Sequence, residues 1–142
     1  MYVLSGDAGS HELQFQTECP TLKVVYNETQ RAKTPLDTAF LTGFDQWVTN
    51  AQAQGKKILF RCSCGCHRTG RLAAYYRMRY NGFDAEQAVA ELKDRAKWMF
   101  FYPFLVPQVY ALNDFIKGAE CSEKYKYCVW TRPEEDSFAG NR

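Results

Sequence analysis

The chain has 142 residues, of which 46% are apolar and 24% charged, and its 18 basic and 16 acidic side chains leave a net charge of +2. That length holds one domain around one core and not two. The small charge excess excludes a general nucleic-acid binder. No apolar run approaches the ~18 residues of a membrane span, and the longest, residues 98–106, is interrupted by Pro103.

Residues 1–5 (MYVLS) read as a short strand cut off at its start, with a turn at 6–9. Residues 10–18 are expected to form a helix carrying Leu13 and Phe15, broken by Cys19-Pro20. Residues 22–26 (LKVVY) are a β-branched strand and 27–33 (NETQRAK) a polar loop. Thr34 is the expected N-cap of the next helix, with Pro35 at its first position and Asp37 as the capping-box acid. Phe40, Leu41, Phe44, Trp47 and Val48 recur at helical spacing and give that helix one apolar face, up to Gly55. Residues 58–60 (ILF) read as a central parallel strand, apolar on both sides. A Cys-rich loop follows, then a helix from Thr69 to Tyr80, stopped by Asn81-Gly82. Asp84 and Gln87 form a capping box for another helix. A last helix starts after Pro103 or Pro107, with Val109, Leu112 and Ile116 inward and Gly118 at its end. This order predicts an α/β domain, a mostly parallel sheet flanked by helices, whose ligands bind beyond the carboxyl ends of the strands.

The six cysteines are unevenly spread: Cys62, Cys64 and Cys66 fall within five residues, and Cys19, Cys121 and Cys128 are scattered. A disulfide framework spaces its cysteines along a small chain, so this cluster reads as a local site. The segment runs Cys62-Ser63-Cys64-Gly65-Cys66-His67-Arg68-Thr69-Gly70-Arg71, between the end of a strand and the start of a helix. Backbone N–H groups of such a loop, Ser63 through Arg68, and of the helix's first turn converge into an anion cradle. Gly65 relaxes the steric limits of the turn, and the fork of Arg68 matches two phosphate oxygens. A cysteine beneath that cradle is held toward thiolate. Cys62 is therefore a candidate nucleophile for phosphoryl transfer, and the Thr69 hydroxyl is placed to hydrogen-bond its sulfur.

Cys62, Gly65 and Arg68 followed by Thr69 and Gly70 resemble the CxxGxxR-Thr-Gly signature of the cysteine-dependent protein tyrosine phosphatases. The match extends as RTGxxxAxYR through Ala74, Tyr76 and Arg77. Tyr80-Asn81-Gly82-Phe83 and Ala88, Glu91 and Leu92 are similar to the bacterial dual-specificity-type branch, and the likeness covers roughly residues 22–117. The resemblance implies a small α/β phosphatase domain at residues 1–118, trimmed at its start, with residues 119–142 as an extension packed on it or fraying. It implies attack by Cys62, transition-state support from Arg68, hydrolysis of a phosphocysteine, and no cofactor or metal. It also implies a general acid about 30 residues before the cysteine; Glu28 is first by loop position, and Asp37 second.

Three features depart from the family pattern. Arg61 stands where a histidine usually precedes the nucleophile, Cys64, Cys66 and His67 are unusual loop residues, and the acid is not an obvious aspartate. Arg31, Lys33, Arg61, His67 and Arg71 form an apparent ring of cations, and the layout resembles tyrosine-phosphatase-like phytases. The expected substrate is thus an inositol polyphosphate, phytate included, with a phosphoprotein as the alternative partner. A phosphate-binding module without catalysis is a reading of another class. Cys64 and Cys66 are either plain loop residues or thiols that resolve an oxidised Cys62, and with His67 they suggest a weak metal-site pattern. A Cys121–Cys128 pair fits an oxidising compartment. Trp98, Phe100, Phe101, Tyr102 and Phe104 are expected in the core, or else as an exposed lip, and Arg77 and Arg79 on a solvated helix face. No leader-like segment opens the chain, which as it stands reads as cytoplasmic, and as exported only if a leader was removed upstream.

Overall fold

The structure is a computed structural model that describes residues 1–133. Three short parallel strands form its sheet, β1 (Tyr2–Val3), β2 (Tyr26–Asn27) and β3 (Phe60–Arg61), in the order β2-β1-β3. Val3 and Leu4 are fully buried, as the central strand requires. Hydrogen bonds prolong the pairing past the strand ends, from Leu4 N–H to the Arg61 carbonyl at 2.7 Å and from Gln30 N–H to the Leu4 carbonyl at 2.9 Å. The expected central strand at 58–60 is instead an edge strand, shifted by one residue or more. No further strand pairs with β3 among the described residues, and Leu59 is left exposed.

Four helices flank the sheet: α1 (Thr38–Ala53), α2 (His67–Tyr80), α3 (Ala85–Arg95) and α4 (Leu105–Lys117). The expected small α/β architecture, a parallel sheet flanked by helices, is therefore present. Leu41, Phe44 and Val48 of α1 join Leu72, Tyr75 and Met78 of α2 and Val109 and Leu112 of α4 in one core. At Gly70 a Cβ would lie 2.6 Å from Leu92 Cδ1, so the glycine lets α3 seat directly against α2. The Asp84–Gln87 capping box is present at α3, and α4 begins after Pro103 and ends at Gly118 in the left-handed conformation.

Several expectations fail for physical reasons. Residues 10–18 form only 3-10 turns (Ala8–Ser10 and Glu12–Phe15), because Leu13 and Phe15 sit two apart and have no common face to bury; both are exposed. Asp37, not Thr34, caps α1, accepting from Phe40 N–H at 2.7 Å; the Thr34 carbonyl is occupied by Arg71 Nη1 at 2.6 Å. Helix α2 starts two residues before Thr69. Of the aromatic cluster, Trp98, Phe100 and Phe101 are exposed, which departs from the core expectation and agrees with the alternative of an exposed lip, while Tyr102 and Phe104 pack partly against the core. Arg77 pairs with Glu91 and Arg79 with Asp45, so neither is merely solvated. Cys121 and Cys128 are joined by a disulfide. Residues 130–132 run over the start of α1: Thr38 N–H donates to the Trp130 carbonyl at 2.9 Å, and Arg132 pairs with Asp37. The rest of the expected extension, 134–142, lies outside the described residues.

Candidate active site

β3 ends at Arg61 and α2 begins at His67, so Cys62 to Cys66 joins a strand's carboxyl end to a helix N-terminus. Gly65 turns the loop at φ 71°, a left-handed conformation that a side chain would strain. Cys66 caps α2 without using its side chain, which leaves first-turn N–H groups open toward the loop. Cys62 is buried at the base of this cradle. Its own N–H donates to Thr69 Oγ1 at 2.7 Å, so the hydroxyl proton of Thr69 is free for the sulfur. Burial pushes the Cys62 thiol up. The Thr69 hydroxyl, the N–H groups of Thr69 and Gly65 and the Arg68 charge outweigh it and bring the thiol down to about 7.

Arg68 reaches across the loop. Nη1 donates to the carbonyls of Leu4 at 3.1 Å and Gln30 at 3.2 Å, and Nη2 to Ser63 Oγ at 3.2 Å. Its Nε makes no hydrogen bond among the described residues and remains for an anion. Beside it, Cys62, Ser63, Cys64, Cys66, His67 and Arg68 line an open cavity of about 550 Å³ together with Gln30, Lys97, Trp98 and Tyr102. His67 stacks on Tyr102 at 3.5 Å and Nε2 lies 2.5 Å from the Lys97 carbonyl. A carbonyl only accepts, so Nε2 carries the proton. Cys66 is buried with Sγ 3.3 Å from the Cys64 carbonyl; the Cys64 thiol is exposed, and burial and Cys66 push it up. Among the described residues no three His, Cys, Asp or Glu side chains are grouped to hold a metal ion.

The Asn27–Lys33 loop touches the cradle through Gln30. Neither acid candidate, Glu28 on this loop or Asp37 at the start of α1, lines the Cys62 cavity; both line an adjoining one of about 230 Å³ with Tyr26, Arg31 and Arg132. Glu28 is exposed there. Burial, and after it the charges of Glu28 and Asp37, hold the Tyr26 phenol above its ordinary value. Asp37 is already engaged by its capping bond and by Arg132 Nε at 2.8 Å.

The dual specificity phosphatase catalytic-domain family matches residues 10–115 of this chain. The chain belongs to that family. A dual specificity phosphatase domain is a cysteine-dependent phosphatase, and the Cys62 cradle is where this one carries the signature loop. A tyrosine-protein phosphatase of Saccharomyces cerevisiae, MSG5, is 35% identical over 75 residues, 53% of this chain. The chain spans only 15% of that relative's length. No solved structure gives a significant match.

Within the phosphatase domain the expected ring of cations is mostly absent. Arg71 is fully buried: Nη1 donates to the carbonyls of Ala32 and Thr34 and to Gln108 Oε1, and Nη2 to Gln30 Oε1. Among the described residues no carboxylate pairs with it. Burial, then the Arg68 charge, lowers its pKa to about 10. Arg71 is thus a clamp on the Asn27–Lys33 loop rather than a substrate contact. Arg61 is paired with Glu12 and with Asp7 at 2.9 Å, which raises its pKa further and ties the N-terminal turns to β3. His67 is stacked and buried. Arg31 and Lys33 are exposed on the loop, with Arg31 in the adjoining cavity. Sequence reasoning missed Lys97 and Gln108. Lys97 stands 30 residues beyond His67, and Gln108 reads as one polar residue in an apolar helix; no local spacing marks either.

Proposed function

We propose that the domain hydrolyses phosphate monoesters through a phosphocysteine on Cys62. Support comes above all from a thiol held at about 7 at the base of a helix N-terminus, against Thr69 and Arg68. In this reading the Cys62 thiolate attacks phosphorus in line and the P–O bond to the leaving group breaks. The loop N–H groups from Ser63 to Arg68 and the Arg68 guanidinium bind the equatorial oxygens and carry the transition-state charge. Thr69 donates to the sulfur as it leaves, and water completes hydrolysis. Glu28 is proposed as the proton donor to the leaving oxygen, which requires its exposed side chain to turn from the adjoining cavity toward Cys62 while Arg71 holds residues 30–34 in place.

The substrate class put first is a phosphoprotein. Three of the five expected cations are spent inside the protein, and the cavity has a ring wall of His67, Tyr102 and Trp98 that suits an aryl phosphate. The relative's activity toward tyrosine-phosphorylated protein agrees. An inositol phosphate, with the phytase-like bacterial layout, is the second reading; the exposed Arg31, Lys33 and Lys97 favour it. Residues 1–118 are proposed as the phosphatase domain and 119–142 as its extension. Phosphate release from phosphotyrosyl and phosphoseryl peptides, lower inositol phosphates and phytate decides the order. The account expects phosphotyrosyl peptide to lead in kcat/KM; a lead for phytate reverses it.

A further inference from the structure

The turn between α3 and α4 stands beside the cradle, and of its exposed rings only Trp98 lines the Cys62 cavity. Trp98 has φ 63°, the one positive φ outside glycine among the described residues, and it opens a 3-10 turn, Met99–Phe101. That backbone places Trp98, Phe100 and Phe101 outward, 72%, 88% and 65% exposed, while Met99 and Tyr102 pack partly on the core. The rings of Phe100 and Phe101 meet edge to face, with centroids 5.2 Å apart. A bulky residue in the left-handed region is uncommon, and conformations of that kind persist where the surrounding structure enforces them.

The charge around this turn is basic. Residues 93–97 read KDRAK, three cations against Asp94. Lys93, Arg95 and Lys97 are exposed and enter no ion pair among the described residues. Lys97 shares the Cys62 cavity with Trp98, and Arg95 lines a separate cavity with Gly65 and the Arg77–Glu91 pair. Lys97 and Trp98 therefore stand at the mouth of the cradle, and the other cations and rings follow from them on the end of α3 and on the turn.

A projecting set of rings is poorly suited to a peptide, whose anchoring side chains sink into pockets of their partner. It suits the boundary of a bilayer, where aromatic rings settle at headgroup depth and lysine and arginine meet anionic lipid. We infer that this turn docks the domain onto an anionic lipid bilayer, with the cradle facing the headgroups. No helix among the described residues is long and apolar enough to cross a membrane, so the contact is peripheral.

Sedimentation of the full chain with vesicles tests this without any need for turnover. Phosphatidylcholine vesicles are compared with phosphatidylcholine–phosphatidylserine vesicles, for the parent and for Phe100→Ser/Phe101→Ser. Neither phenylalanine lines the Cys62 cavity, so hydrolysis of p-nitrophenyl phosphate should match the parent and report a folded variant. The parent should bind phosphatidylserine vesicles, lose most binding at about 1 M salt where screening is short-ranged, and bind roughly tenfold more tightly than the double variant. No binding by the parent, or equal binding by the variant, overturns the inference. A raised KM for a phosphotyrosyl peptide in the variant, with no vesicle binding, assigns the turn to peptide recognition and overturns it too. If the parent hydrolyses nothing, vesicle binding still reads docking separately, and a circular dichroism spectrum matching the parent's then reports that the variant is folded.

Discussion

Thr69→Ala removes the hydroxyl that faces the Cys62 sulfur and leaves the cradle N–H groups and Arg68 in place. A hydrogen bond to an ionised group contributes about 1.5–3 kcal/mol. At 1.36 kcal/mol per pK unit, that is about 1–2 units. The Cys62 thiol, at about 7 in the parent, should then titrate one to two units higher. Half the parent is thiolate at that pH, so the thiolate fraction of the variant at neutral pH falls about 5- to 50-fold. The assay is the rate of iodoacetamide alkylation across pH, with Cys62 followed by peptide mass spectrometry, because Cys19, Cys64 and Cys66 are also free thiols. Thr69→Ser keeps the hydroxyl and should stay near the parent. An alkylation midpoint in Thr69→Ala at or below the parent's refutes the assignment of Thr69. The same shift is legible in stability. The folded thiol lies below its ordinary value of 9.0, so the unfolded chain binds more protons between about 7 and 9. Stability should rise with pH through that window, by about 3 kcal/mol when complete. Cys62→Ser should flatten that rise.

Glu28→Gln should cut kcat strongly for an alkyl phosphate and little for p-nitrophenyl phosphate, flattening the basic limb of the pH profile, whereas Asp37→Ala should lower stability by about 0.5–2 kcal/mol through the lost cap with the leaving-group dependence intact. The opposite pattern in a paired kinetic and thermal-melt comparison assigns the proton to Asp37. Arg71→Met leaves the Thr34 carbonyl and Gln108 Oε1 without their buried donor and should cost about 2–4 kcal/mol in a urea melt; a variant as stable as the parent contradicts the clamp.

What the sequence made legible was local. Cys62, Gly65, Arg68 and Thr69 lie within eight residues, so their spacing alone carries the strand–loop–helix geometry. The Asp84–Gln87 box is likewise complete within four residues. The errors concern side chains whose partners are remote. Arg71 looked like a free cation because Gln108 and the 30–34 loop reach it only after α4 and α2 pack. Arg61 looked free because Glu12 lies 49 residues away. Trp98, Phe100 and Phe101 looked like core because composition cannot reveal a left-handed residue that turns them outward. The acid stayed open because Glu28 and Asp37 occupy one loop region, and the structure holds both beside a neighbouring cavity.

The central claim is that phosphate passes through Cys62. Acid quenching of the full chain during turnover of p-nitrophenyl phosphate, followed by peptide mass spectrometry, tests it directly. The account predicts one phosphoryl group on the Cys62 peptide. It also predicts none in Cys62→Ser, which should still bind inorganic phosphate while hydrolysing nothing. A phosphoryl group on another residue, or turnover surviving in Cys62→Ser, would contradict it.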